Sequence, residues 1–416
     1  MSKYIIEGGR PLFGEIDVQG AKNAVLPIFA ACVLTKEEVT VKNVPDLADV
    51  KSMENILNNL GVTVKKEGNT RVLCAKDVLS DSIPNELAKE LRSSVFLLGS
   101  VIGRLKSAQV AYPGGCDIGL RPIDIHIKGL RDLGVTIEER AGYLFCDGTH
   151  LSGGEVVLDY PSVGATENVM LAAVLAPGET VIRNAAREPE ITDLQNFLNL
   201  LGAKVKGAGT PEIRIEGVTS LGGAEYAVMP DRICLGTWIL AVAMCGGEAA
   251  LIGGRKAEIH SLLCKLDKSS CHIREDSGIM YISAKGRPVC SERISTRPYP
   301  GFPTDLQAQY CAYASVARGT CVITENIFEN RFRHVPELVK MGADITVRDR
   351  VAVIRGTSFL TGAEVTARDL RGGAALVIAG LAAEGKTVVS QVRHIDRGYQ
   401  AMEKTLSNIG AKIVRI

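Results

Sequence analysis

The sequence predicts an α/β protein built from six repeated units, divided three and three between two domains. Three observations predict it: a Leu-Gly motif that ends a helix and recurs, a β-branched strand that recurs at the same spacing, and helices that are apolar nearly all round.

The Leu-Gly motif stands first at Leu60-Gly61-Val62-Thr63-Val64. It returns at Leu133-Gly134-Val135-Thr136-Ile137 and Leu201-Gly202-Ala203-Lys204-Val205. Weaker forms stand at Met341-Gly342-Ala343-Asp344-Ile345 and Ile409-Gly410-Ala411-Lys412-Ile413. The glycines step by about 70 residues, and the interval from Gly202 to Gly342 is two such steps, so a degenerate copy is expected near Ser269-Ser270. Strands starting at Thr40, Ala108, Thr180, Ala249, Thr320 and Thr387 keep the same period.

Within a unit, a helix comes first that is apolar on every side, as in Ala24 to Leu34 or Ala165 to Ala176; such a helix belongs in a core. A turn such as Ala176-Pro177-Gly178-Glu179 follows, then a β-branched strand such as Thr180-Val181-Ile182. Next is an amphipathic helix, with Val50, Met53, Leu57 and Leu60 on one face in the first unit. The glycine of the Leu-Gly motif caps that helix in the left-handed conformation, and one or two strands close the unit. The last unit stops at Ile413-Val414-Arg415-Ile416 without its closing strand, while Ile5-Ile6-Glu7-Gly8 looks like one. Residues 1–20 are therefore expected to join the C-terminal domain. The domains expected are 21–229 and 1–20 plus 230–416, parted near Met229-Pro230.

Length and composition agree. A chain of 416 residues exceeds one ordinary core, and 46 % hydrophobic with 23 % charged residues describes a globular protein. A net charge of +1 and the absence of a polybasic run argue against nucleic-acid and membrane partners. The opening stretch lacks the pattern of a signal peptide, and the apolar run Ile233 to Cys245 is too short to span a bilayer. Eleven cysteines without a Cys-x-x-Cys pair argue against a disulfide framework or a zinc ribbon and point to a reducing, cytoplasmic setting.

The polar residues that break the repeat fall at the starts of the buried helices: Lys22-Asn23, Arg92-Ser93-Ser94, Ser162-Val163-Gly164, Asp231-Arg232, Thr304-Asp305 and Arg371-Gly372-Gly373. Ser93, Ser162 and Asp305 equally suit ordinary N-caps. Capping does not explain the cations, because a positive charge is disfavoured at a helix N-terminus. An anionic ligand would explain Lys22, Arg92, Arg232 and Arg371, and helix starts are ready phosphate sites. Arg121, Arg331 and Arg397 lie in connecting loops.

A second break is the glycine-rich loop Tyr112-Pro113-Gly114-Gly115-Cys116-Asp117-Ile118-Gly119-Leu120-Arg121-Pro122. Glycine allows movement and close backbone approach, and a cation beside Cys116 favours its thiolate. Cys32, Cys234, Cys245 and Cys311 lie in apolar helices and read as packing residues. His260, His334 and His394 show no metal-ligand spacing, and neither a Walker loop nor a Rossmann fingerprint is present.

Seven segments carry a resemblance: Gln19-Gly20-Ala21-Lys22-Asn23-Ala24, Pro113-Gly114-Gly115-Cys116, Arg121-Pro122-Ile123-Asp124, Ser162-Val163-Gly164-Ala165-Thr166, Pro300-Gly301-Phe302-Pro303-Thr304-Asp305, Glu329-Asn330-Arg331-Phe332 and His394-Ile395-Asp396-Arg397-Gly398-Tyr399. Together they resemble the UDP-N-acetylglucosamine 1-carboxyvinyltransferase family, whose reaction opens peptidoglycan synthesis. The resemblance runs over essentially the whole chain. It implies two inside-out, barrel-like α/β domains, each of three βαβαββ-type units.

The resemblance further implies transfer of the enolpyruvyl group of phosphoenolpyruvate to a sugar hydroxyl without metal or organic cofactor. Lys22, Arg121 and Arg397 would hold phosphoenolpyruvate, with Arg92, Arg331 and Arg371 nearby. Asn23, Arg121, Pro122, Ile123, Asp124, Ile125, Ser162, Val163, Gly164, Asp305 and Ile327 would contact the nucleotide sugar. Asp305 would act as base and Cys116 as acid or covalent nucleophile. Cys116 also implies sensitivity to the epoxide fosfomycin. Tyr160 stands where some members carry lysine, which removes one cation expected near the diphosphate. The sister enzyme that uses shikimate 3-phosphate is the nearest alternative, and a catalytically silent binding repeat the second.

Overall fold

The computed structural model describes residues 2–90, 92–111, 123–267 and 269–416; for residues 89, 90, 92 and 93 only the backbone is described. Cys116, Arg121, Pro122 and the side chain of Arg92 therefore lie outside the described residues.

One repeat shows the design. The short strand Glu155–Val157 leads into the buried helix Val163–Ala173, the strand Glu179–Arg183, the helix Pro189–Leu200, and the strands Lys204–Lys206 and Glu212–Glu216. The first strand runs parallel to the second, and the two closing strands are antiparallel. Among the described residues all six repeats form four-stranded sheets of this order. Each sheet keeps its own edges, so the expected barrel-like closure is not continuous hydrogen bonding: separate sheets surround helices, and side-chain packing joins them.

The helices inside are those the sequence marks as apolar all round. Every residue from Arg232 to Met244 in helix Arg232–Cys245 is buried, as is every residue of helix Gln307–Val316. By contrast, helix Ala48–Leu60 buries one face only, through Val50, Met53, Ile56, Leu57 and Leu60. The glycines that end the second helices have φ of 95° at Gly61, 85° at Gly134, 100° at Gly202, 91° at Gly342 and 91° at Gly410. In the fourth repeat, helix His260–Leu266 ends without such a glycine, and Ser269 N donates to Leu266 O at 2.8 Å to close it.

Three sheets are completed from a distance. Lys3–Glu7 lies between Lys386–Ser390 and Lys412–Arg415, antiparallel to both, and supplies the strand missing after Ile413. Residues 1–20 do not stay with that sheet. Leu12–Asp17 turns to pair in parallel with Gly247–Ile252 and leads the fourth repeat. Gly8 makes the turn possible, because a Cβ there would stand 2.2 Å from Ala383 O. The first repeat is likewise led by Ala224–Ala227, parallel to Glu38–Lys42.

The chain forms two compact units, one of residues up to Gln19 with Pro230–Ile416, the other of the described residues between Gly20 and Met229. Each has its own hydrophobic core. In each, the three buried helices pack against one another at the centre: Lys22–Cys32, Leu97–Leu105 and Val163–Ala173 in one, and Arg232–Cys245, Gln307–Val316 and Leu370–Ala382 in the other.

Candidate functional site

In the unit containing residues 230–416, the polar residues at the helix starts divide into caps and non-caps. Asp231 Oδ1 accepts from Ile233 N at 2.8 Å and Cys234 N at 3.0 Å. Asp369 Oδ1 accepts from Arg371 N at 3.0 Å and Gly372 N at 2.9 Å. Both occupy the free amides of a helix start. Asp305 does not cap. It lies in the 3₁₀ turn Thr304–Leu306, and its carboxylate is held by two guanidinium groups.

Arg331 Nη2 stands 2.6 Å from Asp305 Oδ1, and Arg371 Nη2 stands 3.1 Å from Asp305 Oδ2. Both arginine side chains are only 4 % exposed, against 27 % for Asp305. Burial disfavours the Arg371 charge, but Asp305, Tyr399 and Asp231 outweigh burial and hold the guanidinium firmly protonated. Arg371 at this helix start thus has internal counter-charges in Asp305 and in Asp231, the cap of a neighbouring helix.

Several residues that shape this point escaped the sequence. Glu325 is 1 % exposed and accepts from Thr296 Oγ1 at 2.8 Å, Thr304 Oγ1 at 3.0 Å and Ile327 N at 2.8 Å. It thus ties the Ile327 turn to the residue before Asp305. Tyr399, Thr237 and Gln309 form a buried hydroxyl–amide cluster beside Arg371. Glu325 stands 29 and 21 residues from the two threonines that donate to it, so no local pattern in the sequence marks it.

His334 is 2 % exposed, and neither ring nitrogen makes a hydrogen bond of ordinary geometry. Burial, aided by the Arg331 charge and opposed by Asp369, pushes its pKa down to about 4, so the ring is neutral at neutral pH. Arg397 ends the 3₁₀ turn Val392–Arg397 and is exposed; two residues later Tyr399 is fully buried. Asp305, Arg331 and Arg371 are the expected site residues brought into direct contact in this unit.

In the unit of residues 20–229, Lys22 opens helix Lys22–Cys32 and pairs with Asp49 Oδ2 at 3.1 Å. Asp49 is buried in the first turn of helix Ala48–Leu60. Asn23, next along, is half-buried. Ser162 is a true cap: its Oγ accepts from Ala165 N at 3.3 Å. The segments Ile123-Asp124-Ile125 and Ser162-Val163-Gly164 meet through His126. A Cβ on Gly164 would stand 3.0 Å from the His126 ring and 2.7 Å from Phe96. His126 Nδ1 lies 3.2 Å from Asn168 Nδ2, which assigns Nδ1 as the acceptor, and Asn168 Oδ1 accepts from Gly99 N at 2.6 Å. Asp124 is exposed at the start of helix Asp124–Asp132. Burial first, then Glu190 and Glu188, raise the Glu167 carboxyl well above its ordinary range.

Cys32, Cys234 and Cys311 are buried in their apolar helices, as expected of packing residues. Burial pushes the thiols of Cys32, Cys245 and Cys311 up, away from reactive thiolate. Among the described residues no group of three or more His, Cys, Asp or Glu is placed to hold a metal ion, and no helix is long and apolar enough to cross a membrane.

Comparison with known proteins adds to this geometry. The profile of the family described as EPSP synthase (3-phosphoshikimate 1-carboxyvinyltransferase) matches residues 6–406. UDP-N-acetylglucosamine 1-carboxyvinyltransferase 2 of Caldanaerobacter subterraneus subsp. tengcongensis is 53 % identical over 416 residues, covering 100 % of both chains. The UDP-N-acetylglucosamine 1-carboxyvinyltransferase of Nitratidesulfovibrio vulgaris is 47 % identical over 415 residues, covering 100 % of this chain and 99 % of its own. Among solved structures, the enolpyruvyl transferase NikO from Streptomyces tendae superposes with a TM-score of 0.90 at 22 % identity, covering 100 % of this chain and 98 % of its own. An EPSP synthase from Acinetobacter baumannii gives 0.75 at 18 %, covering 100 % of each. These two structural likenesses establish the fold.

Proposed function

This chain belongs to the UDP-N-acetylglucosamine 1-carboxyvinyltransferase family, within the wider EPSP synthase family, and from that premise we propose that it transfers the enolpyruvyl group of phosphoenolpyruvate to the 3′-hydroxyl of UDP-N-acetylglucosamine with release of phosphate. The observation that carries the reading is the grip of Arg331 and Arg371 on Asp305. Two buried guanidinium groups hold and orient that carboxylate, the group proposed to take the hydroxyl proton.

The chemistry runs in two steps. The sugar oxygen bonds to C2 of phosphoenolpyruvate while Asp305 takes its proton, and the methylene carbon gains a proton from Cys116. The resulting ketal then loses phosphate and one methyl proton, which restores the double bond. Lys22, Arg121 and Arg397 hold phosphoenolpyruvate, with Arg92, Arg331 and Arg371 nearby. Fixed cations of this kind stabilise developing charge without reorganising during the reaction. Asn23, Arg121, Pro122, Ile123, Asp124, Ile125, Ser162, Val163, Gly164, Asp305 and Ile327 contact the nucleotide sugar.

The reading places the chain in the cytoplasm, at the first committed step of peptidoglycan synthesis, with consequences for cell shape and division. It also makes Cys116 the target of fosfomycin. The test is phosphate release from phosphoenolpyruvate with UDP-N-acetylglucosamine or with shikimate 3-phosphate. Release with the nucleotide sugar alone is expected. Release with shikimate 3-phosphate instead would transfer the chain to the sister activity, and release with neither would leave a binding repeat.

A further inference from the structure

We propose that Tyr399 is a positioning residue for this reaction: its hydroxyl fixes the Arg371 guanidinium on Asp305, and Thr237 and Gln309 fix the hydroxyl. The inference rests on the role proposed for Asp305.

The cluster sits where all three buried helices of the unit meet. Thr237 comes from Arg232–Cys245, Gln309 from Gln307–Val316 and Arg371 from Leu370–Ala382. Tyr399 enters from the turn after Arg397, set by its backbone N donating to Ile395 O at 3.0 Å. Tyr399, Thr237 and Gln309 are each 0 % exposed.

The protons of the cluster have one consistent arrangement. Thr237 Oγ1 donates its single hydrogen to Ile233 O at 2.8 Å. It therefore accepts from Tyr399 Oη at 2.8 Å, so the tyrosine hydrogen is committed there. The tyrosine oxygen is left to accept, from Gln309 Nε2 at 3.0 Å and from Arg371 Nη1 at 3.4 Å. Gln309 spends its other hydrogen on Thr237 at 3.2 Å. The hydroxyl thus presents a lone pair to Arg371 while Arg371 Nη2 reaches Asp305 at 3.1 Å. A guanidinium bonded at both ends has little freedom to turn away from the carboxylate.

The remaining contacts of Tyr399 do not need the hydroxyl. The Arg371 guanidinium carbon lies 5.6 Å from its ring centroid, and Trp238, the sole tryptophan of the chain, packs edge-on at 5.7 Å. Phenylalanine would keep both contacts and remove the anchor, together with the hydroxyl's bonds to Thr237 and Gln309. Among the described residues, the charged and titratable groups at this point include Arg331 and Arg371 on Asp305; Asp231, Asp369 and Cys234 beside Arg371; His334 near Arg331; and Glu325 beneath Thr304. With the anchor gone, Arg371 pulls less on Asp305, and the carboxyl protonates at higher pH.

The experiment compares wild type with Tyr399→Phe, measuring kcat/KM for UDP-N-acetylglucosamine against pH, since that ratio reports groups of the free enzyme. The acid limb is expected to move up by about half a unit or more, a loss of roughly threefold or more on that limb. Emission from Trp238 checks that the core around the ring is intact. Thr237→Val, which removes the acceptor of the tyrosine hydrogen, is expected to move the limb in the same direction and serves if Tyr399→Phe does not fold. A folded variant whose acid limb coincides with wild type overturns the inference alone. An inactive wild type overturns the proposed function and this inference with it.

Discussion

Arg371 reaches Asp305 with one guanidinium nitrogen and Tyr399 with the other, at 3.1 and 3.4 Å. The side chain that neutralises the proposed base is therefore itself held from behind. A lysine has a single ammonium at that depth and cannot span both partners. Arg371→Lys is expected to lower kcat/KM by roughly tenfold to a hundredfold, an effect of about 1.4–2.8 kcal/mol, with little change in unfolding midpoint. Steady-state kinetics with thermal unfolding checks it.

His334 sets a pH dependence of stability. Its folded pKa, about 4, lies below the ordinary value of 6.5. Protons therefore bind the unfolded chain first, and the stability conferred by the neutral ring is present above the ordinary value and lost as pH falls from about 6.5 toward 4. Urea unfolding of wild type at pH 7 and at pH 5 should show a loss that His334→Leu reduces. Equal losses in both proteins would remove His334 as the cause.

The N-terminal strands should matter to one unit only. Removing residues 2–17 strips Lys3–Glu7 from one sheet and Leu12–Asp17 from another, both within the unit of residues 230–416. Hydrogen exchange should then lose protection at Lys386–Ser390, Lys412–Arg415 and Gly247–Ile252 while Glu38–Lys42 and Glu179–Arg183 keep theirs. Equal loss in both units would contradict the separate cores.

What the sequence made legible is what local physics determines. The Leu-Gly period is readable because a left-handed residue ends each second helix, and glycine tolerates φ near 91° at Gly342 and Gly410 alike. The buried helices are readable because they lack a polar face. The lead strand Leu12–Asp17 was not, since its alternation suits any sheet edge and its partner stands more than two hundred residues away. The site divides the same way. Composition leaves Ser162 and Asp305 equivalent as caps, and only the backbone distinguishes them: Ala165 N points at Ser162, while no helix amide claims the Asp305 carboxylate as a cap. The Tyr399 cluster joins positions 90 and 162 residues apart, beyond any periodicity.

The most direct test is Asp305→Asn, which keeps the shape of the side chain and removes its capacity to take a proton. Phosphate release with phosphoenolpyruvate and UDP-N-acetylglucosamine should fall by roughly 10²–10⁴-fold while the protein stays folded. Turnover within about twofold of wild type would contradict the assignment of Asp305 as the base.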